Sequence, residues 1–442
     1  MPDALPTIAI LGASGLIGQA LAEHLMLEGY PVVAMARRLT QAQTHRFGAT
    51  AIEAPIMALD ASGLARIIRE RHIDMVVNCI GVLQDGPRGK TEAVHVDFVR
   101  RLTEAMALSG RAPLLLHLSV PGDPDDDATA FSRTKREAER VIAESGLPFV
   151  VLRPGFVIAP AAYGGSALIR ALAALPLDLP ASEASRTFAA TAISDIGRTV
   201  SIVARRWQTG ERHWRASYDV MERNPTNVGG VVAAFRARFG GPAPRLTLPA
   251  FLLGIGARFG DAAARLGWAP PVRSTALAEL RRGVAGDPSV WSAETGIEPL
   301  SLDEALRRVP ATVQEGWFGR LYLAKALIFG SLALFWLVSG LVALTVSFDA
   351  ASAILMAQGM PKPAADMLTV ATSLADIAIG GAIAWRRWSR AGLIAGIGLT
   401  VGYLAGSVMI APQLWLDPVG SMVKTVPAAM LMLVALAILD DR

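Results

Sequence analysis

The feature that most constrains this chain is an apolar strand, Ile8-Ala9-Ile10-Leu11, that runs straight into Gly12-Ala13-Ser14-Gly15-Leu16-Ile17-Gly18. Glycines at three-residue spacing between a strand and a helix give a tight turn. Its backbone can approach a pyrophosphate closely, with helix N–H groups aimed at the negative charge. Leu16, Ala20, Leu21 and Leu25 place an apolar stripe on the helix that follows, and Pro31-Val32-Val33-Ala34-Met35 reads as a second strand. That context separates a nucleotide-binding turn from a chance run of glycines. It nominates Gly12, Ser14, Gly15, Leu16, Ile17 and Gly18.

The alternation continues. A strand around Ala51-Ile52-Glu53-Ala54 leads to Asp60 and a helix over 62–71. The unbroken apolar run Met75-Val76-Val77-Asn78-Cys79-Ile80-Gly81 suits a central parallel strand buried on both faces. A helix over about 91–109 precedes the strand Leu114–Leu118, which ends at Ser119. Strands and helices in this order predict an α/β doubly wound parallel sheet of the Rossmann type, with ligands at the carboxyl ends of its strands. Arg37 lies 19 residues past Gly18 and is followed by Arg38, with no acid beside them. Such sites place an acid there for a ribose hydroxyl or an arginine for a 2′-phosphate, so the pair points to NADP(H) over NAD(H). The plainer reading is two solvated arginines ending a strand.

These motifs, with Ala130-Phe131-Ser132-Arg133-Thr134-Lys135, resemble the short-chain dehydrogenase/reductase superfamily in its extended and atypical branches, over roughly residues 6–310. The similarity is greatest to the NmrA-like regulators and the nucleotide-binding accessory subunit of respiratory complex I. The resemblance implies that Asp60 contacts the adenine, that Asn78 to Gly81 lie beside the cofactor ribose, and that Ser119 and Lys135 are catalytic, with Lys135 also holding the cofactor. It places Arg153-Pro154 beside the nicotinamide. It also implies a Tyr-x-x-x-Lys pair on one helix face, with tyrosine as the acid/base, yet this chain has Phe131 at the tyrosine position. A phenyl ring carries no transferable proton. Such general acid/base catalysis is worth about 10²–10⁴-fold. Nothing in the sequence puts Tyr163 in that role.

The domains read as 1–205 for the NAD(P)-binding part, 206–315 for its cap and 320–442 for a membrane part. Residues 321–442 hold only 13 of the 80 charged residues, and mean hydropathy over the whole chain is +0.40. Apolar segments at about 321–346, 367–385, 391–411 and 421–439 are each long enough to cross a hydrocarbon core of about 20 residues. They predict an all-α bundle of four transmembrane helices. The loop Arg386-Arg387-Trp388-Ser389-Arg390 marks the cytoplasmic side, which puts the nucleotide domain and Asp440-Asp441-Arg442 there too. Gly392 with Gly396, and Gly398 with Gly402 and Gly406, predict close helix packing. The segment resembles the DoxX-like family of four-helix membrane proteins.

Asp376, in mid-span, is a candidate proton or quinone site, or a buried group that fixes packing. Lys325 and Lys424 read as snorkelling residues. Between the two parts, Phe251, Leu252, Leu253, Ile255, Phe259 and Leu266, with Arg258 and Arg265 among them, predict a helix. It lies on a membrane surface or faces its own core as part of the cap.

Net charge is +4 with no basic run, which excludes a nucleic-acid partner. The six histidines form no ligand-spaced pair, so no metal site is expected, and the single Cys79 fits a reducing compartment. The early glycine turn does not read as a signal peptide. Taken together, these features predict a multi-pass protein of the inner (cytoplasmic) membrane. It would be an NAD(P)-binding oxidoreductase acting on a lipophilic, quinone-like partner. Phe131 keeps a second reading standing: a non-catalytic NADPH sensor or an assembly factor of a membrane complex. A third, an isomerase or dehydratase of a lipid-linked sugar, needs the missing tyrosine or a substitute for it.

Overall fold

The computed structural model describes residues 5–86, 89–410, 412–416 and 420–440; Asp441, Arg442 and Ala411, the last residue of the expected third span, lie outside them. The main sheet has seven strands: β1 (Ile8–Leu11), β2 (Val32–Ala36), β3 (Ala51–Glu53), β4 (Met75–Asn78), β5 (Leu114–Leu118), β6 (Phe149–Pro154) and β7 (Arg215–Val220). Every pairing is parallel, in the order β7-β6-β5-β4-β1-β2-β3. β1, β2, β4 and β5 bury every residue, which is why they read as continuous apolar runs. The chain goes from β1 out to β2 and β3, then returns to lay β4 on the other side of β1. That reversal opens a crevice at the strands' carboxyl ends.

Helices cover both faces. On one side lie α1 (Leu16–Leu27) and α5 (Ile193–Gln208); on the other lie α2 (Ala61–Glu70), α3 (Phe98–Leu108) and α4 (Ala130–Glu144). α1 buries Gly18, Leu21, Ala22 and Leu25, while Leu16 and Ala20 are only half-buried, so the core stripe is rotated from the one expected. Burying a leucine here stabilises the fold by roughly 1.5–3 kcal/mol. Thr129 caps α4 by accepting from Ser132 N (3.2 Å). Beyond β6 a further core forms around Phe188, Phe235 and Leu306. It includes the helix Leu302–Arg307, where Ser301 and Glu304 form a capping box.

The chain divides into two compact units, Met1–Asp261 with Pro271–Arg320, and Ala262–Pro270 with Leu321–Arg442. The first includes most of α6 (Ala250–Arg265), whose last residues belong to the second unit, and α7 (Ser274–Arg282). α6 buries Ala257 and Ala264 but leaves Phe251 66% and Phe259 72% exposed. Leu253 packs against the unit's core, while Phe251 and Phe259 do not, so the helix covers its own core on one face and carries a second apolar face outward.

The second unit contains α8 (Val313–Leu344, whose first turns belong to the first unit), α9 (Lys362–Ala384), α10 (Ser389–Ile410) and α11 (Ser421–Ala437). Among the described residues three helices are long and apolar enough to cross a membrane, Val313–Leu344, Lys362–Ala384 and Ser389–Met409. The fourth expected span is the 17-residue α11, which contains Pro427 and is shorter than the usual span. A helix at Phe348–Met356 lies between the first two spans. Phe329, Trp336, Ile383, Leu393 and Met432 form the unit's core.

Only part of the glycine pattern marks close packing. An added Cβ at Gly392 or Gly396 would come within 2.9 Å of Ala382 Cβ or 2.8 Å of Met432 Sδ, whereas Gly398, Gly402 and Gly406 have open space. The tightest α8–α9 approach is at Gly340, where a Cβ would meet Ser373 O at 2.5 Å.

Candidate nucleotide and catalytic site

The turn after β1 is held by backbone bonds. Gly12 N and Ala13 N donate to Met35 O (2.9 and 3.0 Å), and Gly15 N donates to Gly12 O (2.9 Å). Gly12 has φ +82°, a left-handed conformation that favours glycine, and an added Cβ there would press on Cys79 backbone at 3.2 Å. At Gly18 a Cβ would sit 2.3 Å from Gly12 O, so α1 can pass this close to the turn only without a side chain. No side chain caps α1, and its first turn, with Leu16 and Ile17, holds no acid. Its N–H groups are thus available to an anion from outside. Gln43, on the neighbouring helix, donates to Ser14 O (3.5 Å).

Arg37 and Arg38 follow β2 and are exposed, with no carboxylate within ion-pair distance among the described residues. Glu53 is paired with Ala36 in the sheet register and accepts from Leu39 N (3.1 Å). Asp60 carries a capping role that its sequence context alone does not show. Its Oδ1 accepts from Gly63 N and its Oδ2 from Ser62 Oγ (both 2.8 Å), starting α2.

At the carboxyl ends of β4 and β5 a buried polar cluster forms. Asn78 Oδ1 accepts from Ile80 N (3.1 Å), so its Nδ2 must donate to His117 Nδ1 (3.2 Å). The proton of His117 therefore sits on Nε2, which is buried with no partner among the described residues. His95 is fixed the same way. Its Nε2 accepts from Val82 N (3.1 Å), and its Nδ1 donates to Thr134 Oγ1 (2.8 Å). Burial, then the Lys135 charge, pushes His95 down to about 3 and His117 well below the usual histidine range. Both stay neutral at ordinary pH.

Lys135 Nζ donates to Leu118 O (2.7 Å), and burial lowers its ammonium to about 8. A Cβ at Gly81 would lie 3.4 Å from Lys135 Nζ and 3.6 Å from His95 Nε2, so the three converge. Phe131 packs edge-on against the His95 ring at 5.7 Å. His95 does not replace the missing tyrosine, because both its nitrogens are committed. Ser119 Oγ is buried with no partner among the described residues. The cluster thus brings together Asn78, Gly81, Ser119, Phe131 and Lys135, and adds two histidines that sequence reasoning missed. Neither lies at a motif spacing; only the fold joins them.

Residues 8–177 match the NAD dependent epimerase/dehydratase family, and residues 333–433 match the DoxX-like family. The chain joins an SDR-like NAD-binding Rossmann domain to a DoxX-like domain. A 3-diazoavenalumate denitrifying reductase from Streptomyces sp is 27% identical over 268 residues, spanning 55% of this chain and 85% of that protein. UDP-glucuronic acid 4-epimerase from Bacillus cereus, in complex with UDP-glucuronic acid and NAD, is 16% identical. It covers 72% of this chain and 100% of its own, with TM-score 0.51. The Bordetella bronchiseptica enzyme WbmH, in complex with NAD+, gives 16% identity, 69% and 96% coverage, and TM-score 0.51. At these identities the solved structures show likeness of fold alone.

The Rossmann domain has an uncapped helix N-terminus after its glycine turn and, at the end of β5, a buried Ser119 hydroxyl without a partner among the described residues. In the DoxX-like domain, Asp376 is 6% exposed. Its Oδ1 accepts from Tyr403 OH (2.9 Å) and its Oδ2 from Ser339 Oγ (3.4 Å). Trp336 Nε1 and Ser373 Oγ are buried without partners among the described residues.

Proposed function

We propose that this protein is a membrane-tethered oxidoreductase that binds NADP(H) in preference to NAD(H) and reduces a lipophilic, quinone-like acceptor. The observation that carries this reading is the convergence of the uncapped α1 N-terminus, the orphaned Ser119 Oγ and the buried Lys135 at one crevice. Gly12 to Gly18 would hold the pyrophosphate, Arg37 and Arg38 a 2′-phosphate, Asp60 the adenine edge, and Asn78, Gly81 and Lys135 the ribose side. A bound nicotinamide would supply hydride. Ser119 Oγ would donate a hydrogen bond to the acceptor's oxygen. With Phe131 in place of tyrosine, the one proton that must accompany the hydride would come from the Lys135 ammonium or from water. An acceptor whose reduced form is acidic, as a quinol is compared with an alcohol, tolerates that loss best.

The DoxX-like domain and its apolar helices support placement in a membrane, and the arginine loop at 386–390 supports a cytoplasmic nucleotide domain. Asp376, one helical turn from the unpartnered Ser373 Oγ, would position a carbonyl-bearing molecule in the bundle. The Streptomyces relative is a reductase, which supports the reductive direction. Phe131 favours a second reading, in which the nucleotide is bound and reported to a membrane complex without turnover.

The test is NADPH and NADH titration of full-length protein in detergent, followed by NADPH oxidation with a short-chain quinone. Binding with turnover is the expected result. Binding without turnover, across quinone and carbonyl acceptors, transfers the case to the sensor. Absence of binding sinks both.

A further inference from the structure

A cleft of about 630 Å³ opens in the first unit between α6, α7 and the segment that leads into α4. Four arginines line it, Arg186, Arg258, Arg281 and Arg282, against one acid, Asp126. Two of the four are already neutralised. Arg281 pairs with Glu183 (2.7 Å), and Arg282 pairs with Asp127 (3.0 Å) while also donating to Pro121 O (2.6 Å). Arg186 donates only to a carbonyl, Ser182 O (3.3 Å), and Arg258 has neither carboxylate nor carbonyl partner among the described residues. The cleft therefore carries unspent positive charge. Its floor is tied through Arg282 to the segment that follows Ser119, which joins it to the catalytic crevice by two residues of chain.

The wall that α6 contributes, Gly254, Ala257 and Arg258, lies on the helix edge next to a second, different surface. Helical spacing sets Gly254 and Arg258 beside Phe251, Ile255 and Phe259, all three exposed. With Leu252 and Leu266, also exposed, they form an apolar stripe flanked by Arg258 and Arg265. Such a face is that of a helix lying in a headgroup layer. The chain beyond α6 agrees. Residues 262–270 belong to the membrane unit, where Trp268 packs on Phe329 at 4.7 Å and donates to Ala384 O (2.7 Å). Arg386 N, in the arginine loop, donates to Leu266 O (3.0 Å). The apolar stripe is thus covalently continuous with the polar end of the bundle.

We propose that this cleft binds the anionic head of an amphiphile drawn from the bilayer, with its apolar chain passing over the Phe251 edge of α6. A phosphate monoester or diphosphate on a hydrocarbon tail fits both the charge and the stripe. The proposal goes beyond the oxidoreductase reading: it assigns, beside the crevice, a site for an anionic membrane amphiphile distinct from the quinone-like acceptor.

The experiment measures binding of dodecyl phosphate and of inorganic phosphate to full-length protein in nanodiscs of uncharged lipid. NADPH titration and thermal melting are run on every variant. Dodecyl phosphate should bind saturably and at least about tenfold more tightly than inorganic phosphate, a difference of about 1.4 kcal/mol. Arg186→Ala with Arg258→Ala should weaken it by about tenfold, with Arg258→Lys partly restoring it. Phe251→Ser with Phe259→Ser should reduce dodecyl phosphate to the affinity of inorganic phosphate. Equal affinity of the two probes in the unaltered protein would make this a soluble-phosphate site and overturn the proposal. Indifference to the arginine pair in variants that melt normally would overturn it as well. Loss of NADPH binding with dodecyl phosphate still bound would instead sink the nucleotide reading, so the two failures are distinguishable.

Discussion

Both units of this chain carry glycines at regular spacing, and the structure uses them in opposite ways. In the turn between β1 and α1, Gly18 faces backbone at a distance no side chain tolerates, and Gly12 takes a left-handed φ of +82° with backbone close by. In α10, two glycines of five lie against a neighbouring helix and three face open space. The first set is dictated by one geometric demand, that a helix start against its own turn. The second belongs to a helix that needs closeness on only one side, where Met432 and Ala382 approach. The remaining glycines leave an outer surface flat. Spacing alone does not separate the two cases; the neighbour on the other side of the backbone does.

The comparison is broken or sharpened first at Gly18. Gly18→Ala places a methyl 2.3 Å from Gly12 O, and only a shift of the turn relieves it. NADPH affinity should fall by about a hundredfold or more, since sub-ångström placement governs the phosphate contacts. The fold should lose roughly 1–3 kcal/mol. NADPH titration with a denaturant melt checks both. Unaltered affinity would mean that the turn is not the phosphate site.

Lys135 comes next, because it tests whether side chains or backbone hold the nucleotide. Lys135→Met should weaken NADPH by about tenfold to a hundredfold while leaving the protein folded. It also removes a pH signature. The folded-state ammonium titrates at about 8, below its usual value of 10.5, so its burial destabilises the fold fully below pH 8. That penalty is relieved as pH rises towards 10.5, because the unfolded chain holds the extra proton in this window. The unaltered protein should therefore gain up to roughly 3 kcal/mol relative to Lys135→Met between pH 8 and 10.5. Parallel slopes of stability against pH for the two proteins would contradict the buried-lysine account.

Arg37→Ala with Arg38→Ala should cost NADPH about tenfold and NADH little, since two exposed guanidiniums act only on the additional phosphate. An equal loss for both cofactors would show that the pair supports the fold instead. A loss for neither would leave Glu53, at the adjacent strand end, as the group that sets cofactor choice.

The sheet was legible because buried parallel strands have no polar face to confuse the pattern; β4 is apolar up to Asn78, and β5 is apolar but for His117. The glycine turn was legible for the same local reason. Other features depend on distant partners. Asp60 matched a ligand-binding position and also caps α2, a role read only from Gly63 N and Ser62. His95 and His117 are far from the lysine in sequence, and only the crossover from β4 through α3 to β5 brings them to it. α6 had the right residues for two opposite placements. The structure gives both, with Leu253 on the core and Phe251 and Phe259 exposed, because amphipathicity fixes which face is apolar and not what that face meets. The fourth apolar segment, expected over 421–439, is the helix Ser421–Ala437, so only its last two residues were misplaced.

The smallest expected effect returns to α10. Gly396→Ala meets Met432 Sδ at 2.8 Å and Trp336 at 3.3 Å, so it should lower the melting temperature of the detergent-solubilised protein by several degrees. Gly398→Ala meets nothing within 4 Å, and it should leave that temperature unchanged or raise it slightly, by the few tenths of a kcal/mol that alanine brings to a helix. If Gly398→Ala destabilises as much as Gly396→Ala, the open surface is covered by another molecule. The flat row of Gly398, Gly402 and Gly406 would then be a helix-packing face after all, with a second copy of the chain supplying the neighbour. Repeating the melt across a range of protein concentrations separates that case. A contact within one chain gives a concentration-independent loss, whereas a contact between copies gives a loss that fades on dilution, where the unaltered protein has no partner to lose.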